Sequence, residues 1–168
     1  MAETKIYFSD KIDTLLREYS MKRFGYRRGS ISDAVEEAVT QWLKKETMIK
    51  DAVQKLVEHA KEDENIIAMV LFGSYARKEP GFNDVDIGLL AKDPGNVDIL
   101  RYTYILEGAS ENLIQLSVIN DFPRWTQKHI IDESRLLYVK DREALYEYTS
   151  KLIIDSSDNE HIAALLRS

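Results

Sequence analysis

Two apolar segments separated by a short polar stretch constrain the fold of this chain more than any other feature. The first, Ile66–Phe72, ends at Gly73 and Ser74. After nine intervening residues, Asp84 and Asp86 open the second. Apolar runs of this length, bounded by turn residues, are typical of buried strands. The pattern therefore predicts two strands joined by a turn and a short helix, which places a glycine-serine corner beside two carboxylates.

The corner and the two carboxylates have the chemistry needed to hold a metal-bound triphosphate. Gly73 has no Cβ, so a phosphate can approach its amide, and Ser74 adds a hydroxyl where a helical turn with free amides begins. Asp84 and Asp86 are two residues apart, so their side chains share one face of a strand. Mg²⁺ commonly takes one or two carboxylates together with substrate phosphates.

The glycine-serine corner followed by the Asp-x-Asp pair resembles the signature of the DNA polymerase beta-like nucleotidyltransferase superfamily. The short chain is most similar to its minimal branch, which includes members paired with HEPN-domain toxins. The resemblance implies an α+β domain with a mixed sheet and flanking helices. Carried over by position, it assigns nucleotide binding to Gly73 and Ser74, and catalysis with Mg²⁺ binding to Asp84 and Asp86. Arg77 or Lys78 could add a cation to the nucleotide site, the alternative for Lys78 being a solvated side chain. The family often has glycine where this chain has Lys78.

The family's third carboxylate, on a later strand, is replaced in this chain by Gln115. An amide is a poor metal ligand and is not a base at neutral pH. Glu107, Glu111 and Asp121 are candidate substitutes that the sequence does not position. One hypothesis is an enzyme that moves an NMP from an NTP, with ATP as the expected donor, to a protein tyrosine or an RNA end. The alternatives are a non-catalytic regulator that binds a nucleotide or a partner, and a plain assembly module.

The beginning of the chain has a different pattern from the rest. Residues 4–9 alternate polar and apolar side chains, as a strand does, and two amphipathic helical patterns follow from Asp10 and Ser30. Ser30 with Asp33 predicts a capping box for the second helix. A single strand without a partner leaves backbone groups unpaired, so we expect it to pair with a second copy of the chain.

This order of one strand and two helices resembles the ribbon-helix-helix DNA-binding family. The resemblance implies a homodimer whose ribbon enters the major groove of a DNA operator and whose second helix begins at a phosphate. Carried over by position, Lys5 and Tyr7 would face base edges and the Ser30 region would face a phosphate. Arg27 and Arg28, in the turn before Ser30, could add phosphate contacts. The alternative is a solvated surface on a dimerisation module. The predicted domains are residues 1–46 for this module and residues 47–168 for the nucleotidyltransferase.

Charge and composition narrow the remaining classes. The net charge is −6, and residues 1–50 carry ten Lys or Arg against eight Asp or Glu, so the rest of the chain is acidic. An acidic body argues against broad coating of nucleic acid by the second domain. The chain has no cysteine, which excludes disulfides and thiolate metal sites. No apolar run is long enough to cross a membrane, and a cytoplasmic protein is the expectation.

Overall fold

The chain forms two compact units, Met1–Thr47 and Met48–Ser168. The computed structural model describes residues 5–106 and 112–165, with side chains described as far as residue 153. None of the described helices combines the length and the apolar character that crossing a membrane requires.

The first unit contains helix α1 (Asp10–Phe24) and the beginning of helix α2 (Ser30–Glu62), and both helices begin where the sequence predicts. Residues 5–9 belong to no strand in the single chain, so the paired ribbon stays a prediction. The predicted capping box is wrong. The Ser30 hydroxyl donates to the carbonyls of Gly25 and Arg27, and the Asp33 carboxylate pairs with Arg27, so both side chains hold the turn before α2.

The second unit is built on a four-stranded mixed sheet in the order β3-β2-β1-β4. The central strand β1 (Ile66–Phe72) is antiparallel to both β2 (Val85–Ala91) and β4 (Arg135–Val139). Strand β3 (Ile114–Val118) lies parallel to β2. This mixed sheet with flanking helices is the α+β architecture that the sequence predicts for this part of the chain.

Helices and turns connect the strands. Helix α3 (Gly73–Ala76) follows β1 directly, α4 (Ile99–Ile105) lies between β2 and β3, and α5 (Arg124–Glu133) precedes β4. Helix α6 (Arg142–Leu165) follows β4. Single 3₁₀ turns, Pro94–Asn96 and Ile119–Asp121, follow β2 and β3.

The two faces of the sheet carry two separate clusters of buried side chains. On one face, Met69 and Leu89 pack with Leu56 of α2 and Tyr102 of α4, and we call this the α2 face. On the other, Val70 and Leu90 pack with residues of α5 and α6, and Phe72 packs against the same cluster; we call this the α5 face. Side chains alternate along a strand, so each strand contributes to both faces.

Candidate functional site

The end of β1 and the beginning of β2 meet at one edge of the sheet. Phe72 is in register with Asp86, which brings the next residue, Gly73, against the Asp86 carboxylate. A Cβ on Gly73 would lie 2.0 Å from Asp86 Oδ2, and the glycine has a φ of +73°. Glycine alone satisfies both the close approach and the left-handed backbone. The Asp86 carboxylate therefore lies directly against the glycine-serine corner.

Asp84 and Asp86 occupy the position that their spacing predicts. Asp84 directly precedes β2 and Asp86 is its second residue, and both side chains are half-buried. Burial raises the pKa of the Asp86 carboxyl, the nearby charge of Asp84 raises it further, and Arg77 opposes the rise. A divalent cation bound at this pair would offset the negative charge that Asp84 places near Asp86. Their oxygens form a donor set that fits Mg²⁺.

The turn after β1 positions Ser74 and Lys78. Ser74 is half-buried in α3, and its carbonyl accepts a hydrogen bond from the amide of Glu79 at 3.0 Å, which closes the turn. Lys78 is exposed and has a φ of +59°, in the left-handed region. Glycine adopts that region without a steric penalty, which explains its frequency at this position in the family that the motif resembles.

Arg77 is held by two glutamates that the sequence analysis did not select. Its Nε donates to Glu79 Oε1 at 2.7 Å, and its Nη1 donates to Glu133 Oε2 at 3.1 Å. Two of its five N–H groups are therefore engaged. Glu79 lies two residues along the chain and could have been suspected, whereas Glu133 ends α5 and no local pattern indicates it. The positive charge of Arg77 still opposes the rise in the pKa of Asp86, so Arg77 contributes to the electrostatics of the site.

Strand β3 places Gln115 beside Asp86, where the family has its third acid. The two residues are register partners in the parallel pair, and Gln115 is exposed. The suggestion that Asp121 substitutes is wrong, because β3 runs away from this edge and Asp121 follows its far end, on the order of 15 Å away. Glu107 and Glu111 lie outside the described residues. Among the residues that are described, no group of three acids, histidines or cysteines could hold a metal.

Replacing Gln115 by glutamate should destabilise the protein without metal and should increase its stabilisation by Mg²⁺. Without metal, a carboxylate opposite Asp86 is expected to lower the free energy of unfolding by about 0.2–1 kcal/mol, because like charges face each other across two strands. With Mg²⁺, the added ligand should make the variant's rise in melting temperature larger than that of the wild type. Thermal unfolding with and without Mg²⁺ measures both effects. Leu100→Glu, at an exposed position of α4, is the control for an added carboxylate, and an equal Mg²⁺ response in both variants would contradict the assignment.

The predicted DNA-contacting residues of the first unit differ in their availability. Tyr7 is 90% exposed and Lys5 is exposed beside it. Arg27 pairs with Asp33, whereas Arg28 has no ion pair within the described ranges. Ser30 is buried, and its hydroxyl donates to backbone carbonyls, so only its backbone is left to meet a phosphate. The DNA contacts stay predictions.

Comparison with known families gives one match to the second unit. The sequence model of the family described as "Polymerase beta, Nucleotidyltransferase" matches residues 54–143, which is more than half of the chain. The matched residues include the glycine-serine corner, the Asp-x-Asp pair and all four strands. A search of curated proteins finds no match.

Two solved structures illustrate the fold that the chain shares. A crystal structure of a toxin-antitoxin with AMP-PNP is 18% identical, with a TM-score of 0.51, and the alignment covers 70% of this chain and 98% of that chain. A tri-AMPylated Shewanella oneidensis HEPN toxin in complex with MNT antitoxin contains a chain of 18% identity, with a TM-score of 0.46 and coverage of 76% and 99%. At this identity, the first likeness shows a common fold.

Proposed function

The chain belongs to the polymerase beta nucleotidyltransferase family, and on that premise we propose that it transfers a nucleoside monophosphate from an NTP to a hydroxyl of a partner protein. The observation that carries the proposal is the contact between Asp86 and Gly73, in which a Cβ would lie 2.0 Å from the carboxylate. This contact puts a metal-binding carboxylate next to the backbone that would seat the phosphates. A fold retained for structure alone does not require it.

Different residues of the site would bind the metal and the triphosphate. Asp84 and Asp86 would hold Mg²⁺, which when bound neutralises phosphate charge and polarises the α-phosphate. Gly73 and Ser74 would seat the triphosphate, with the charge of Arg77 beside it. The acceptor oxygen then bonds to the α-phosphorus, the bond from that phosphorus to the bridging oxygen breaks, and pyrophosphate leaves. Positioning and charge stabilisation account for most of the rate in reactions of this kind.

The proton of the acceptor hydroxyl must leave without help from residue 115. Gln115 cannot accept it, so an acceptor that ionises readily is favoured, and the phenol of a tyrosine, with a pKa of about 10, meets this requirement. The similar structure with AMP-PNP is a toxin-antitoxin, which supports ATP as the donor and a toxin as the partner. We therefore propose an antitoxin that modifies a HEPN-type toxin on tyrosine.

A transfer assay tests this proposal. The protein is incubated with Mg²⁺, α-labelled ATP and cell extract, and the labelled product is treated with protease or ribonuclease. Label that is released by protease and resists ribonuclease supports a protein acceptor, and the reverse result identifies an RNA end. Nucleotide binding without any labelled product would favour the second candidate function, a non-catalytic regulator, for which the neutral Gln115 is the specific observation.

The first unit is proposed to form the homodimer and to bind DNA. Four apolar side chains that would be buried by a second copy are exposed in the single chain, namely those of Ile6, Phe8, Ile12 and Leu15. Exposed apolar groups that lie together mark interaction surfaces. The dimer would give each assembly two transferase sites and one ribbon.

Two variants, a single and a double substitution within residues 5–8, should separate dimerisation from DNA binding. Phe8→Asp places a charge on the apolar side of the ribbon and is expected to convert the dimer to a monomer in light scattering. The double variant Lys5→Ala with Tyr7→Ala changes the opposite side of the predicted ribbon, so the dimer should persist. Binding to the DNA upstream of the protein's own gene, measured by gel shift, should be lost. If DNA binding survives the double change, the groove-facing assignment is wrong.

A further inference from the structure

An apolar groove lies on the α5 face of the second unit, between β4, the end of α5 and the beginning of α6. Its volume is about 560 Å³, and its apolar lining includes Ile131, Leu136, Val139 and Leu145. A volume of this size is typical of a site that receives a ligand or several side chains of a partner.

The groove leaves large apolar side chains in solvent. Leu136 is 57% exposed on β4, and Tyr146 is 73% exposed on α6 at the rim. Strand β4 is the last in the sheet order, so its outer edge has no neighbouring strand in the described part of the chain. Apolar side chains collected in a groove, rather than scattered singly, indicate an interaction surface.

The groove lies on the same face of the sheet as the two carboxylates. Val70, which lines the groove, is the register partner of both Leu136 on β4 and Gly88 on β2. Gly88 is two residues from Asp86, and Phe72, the partner of Asp86, packs with Val70 in the α5-face cluster. Two residues along a strand span about 7 Å and one strand spacing adds about 5 Å. A segment bound in the groove therefore reaches the catalytic edge within a few residues.

The charge of the groove indicates the chemistry of its occupant. Arg142 is the one charged side chain among its lining residues, it is exposed, and it makes no ion pair with any described residue. Residues 51–168 carry thirteen Lys or Arg against twenty-one Asp or Glu, so this exposed cation lies in a unit that is acidic as a whole. An apolar surface with one carboxylate complements this groove. A second copy in two-fold contact would oppose one concave surface to another, which is a poor fit.

We propose that this groove docks an amphipathic helix of the acceptor protein, with apolar side chains against Leu136 and Leu145 and a carboxylate on Arg142. A helix laid in a groove makes such contacts with one residue per turn. The inference rests on the proposed transferase function, because docking here explains how a protein hydroxyl reaches the site. The groove sets affinity for the acceptor, and the carboxylates perform the chemistry.

The test uses the full-length protein and the acceptor identified in the transfer assay, in purified form. Leu136→Glu and Arg142→Glu should each raise the KM for the acceptor at least about tenfold, a loss of about 1.4 kcal/mol in binding. Both positions are exposed, so the melting temperature and the affinity for a non-hydrolysable ATP analogue should stay unchanged. The control variants Leu100→Glu and Arg101→Glu are exposed on α4, on the α2 face, and should transfer normally.

The two proposals can fail separately. A wild type that does not bind the ATP analogue with Mg²⁺ contradicts the transferase function itself. Normal nucleotide binding and transfer in both groove variants, or impairment of the α4 controls to the same degree, would overturn the docking inference alone. An RNA acceptor would overturn the proposed protein acceptor and the docking inference together. Self-association of the wild type that Leu136→Glu abolishes would assign the groove to a second copy and overturn it as well.

Discussion

Asp86→Asn is expected to reduce nucleotidyl transfer by about three orders of magnitude or more, on the order of 4 kcal/mol of transition-state stabilisation. The amide keeps the shape of the side chain but removes the negative charge that holds Mg²⁺ against the phosphates. Asp86 is the side chain that lies against Gly73, where the phosphates would be seated. Transfer of α-label to the purified acceptor measures the loss. Asp121→Asn, an acid beyond the far end of β3, should transfer at the wild-type rate.

The same substitution should change how stability depends on pH when Mg²⁺ is removed with a chelator. The pKa of Asp86 is raised in the folded protein, chiefly by burial. A raised pKa means that the folded state favours the protonated form, so this contribution to stability is present at acidic pH and is lost as the pH rises through the folded pKa. Asp86→Asn should lack that decline. A decline of the same size in both proteins would show that another group is responsible.

Gly73→Ala should be nearly as damaging, for a different reason. The added Cβ would lie 2.0 Å from Asp86 Oδ2, and alanine would have to hold a φ of +73°. The left-handed backbone alone costs on the order of 1–3 kcal/mol, and displacement of the carboxylate adds to it. We expect loss of Mg²⁺-dependent nucleotide binding together with a fall in the free energy of unfolding, measured by calorimetry and denaturant titration.

Gly81→Ala is a matched control for that change, because Gly81 has a φ of +77° but open space around its Cβ position. It should show the backbone penalty without the loss of nucleotide binding. Combining Gly73→Ala with Asp86→Ala removes the contact, so the double variant should lose less stability than the sum of the single variants. Strict additivity would mean that Gly73 and Asp86 do not interact.

The sequence predicts β1 and β2 well because β1 is a continuous apolar run and β2 is an apolar run that opens at the Asp-x-Asp pair. The bounds of β1 agree with the predicted run Ile66–Phe72 to the residue, since Asn65 and Gly73 mark its two ends. The agreement extends to the corner, because a glycine with no Cβ is required where β1 meets the Asp86 carboxylate. Features set by neighbouring residues are thus readable from a single sequence.

Features set by distant contacts are not readable in this way. Glu133 binds Arg77 across 56 positions, and its role follows from the place where α5 ends. Asp121 was a candidate third acid until the parallel pairing of β2 and β3 placed Gln115 at the site and Asp121 at the other end. The capping box failed for a local reason instead. The Ser30 hydroxyl and the Asp33 carboxylate bond to the preceding turn, and the spacing of the two residues does not distinguish that arrangement from a capping box. The strand predicted at residues 4–9 stays a prediction, since it would need a second chain to pair with.

Comparison of α-labelled and γ-labelled ATP tests the central claim most directly. The protein is incubated with Mg²⁺ and the purified acceptor, and label on the acceptor is counted for each nucleotide. Transfer of a nucleoside monophosphate predicts that the α-label appears on the acceptor, that the γ-label appears in pyrophosphate, and that Asp86→Asn removes both signals. The γ-label on the acceptor, or α-label that persists in Asp86→Asn, would contradict the account.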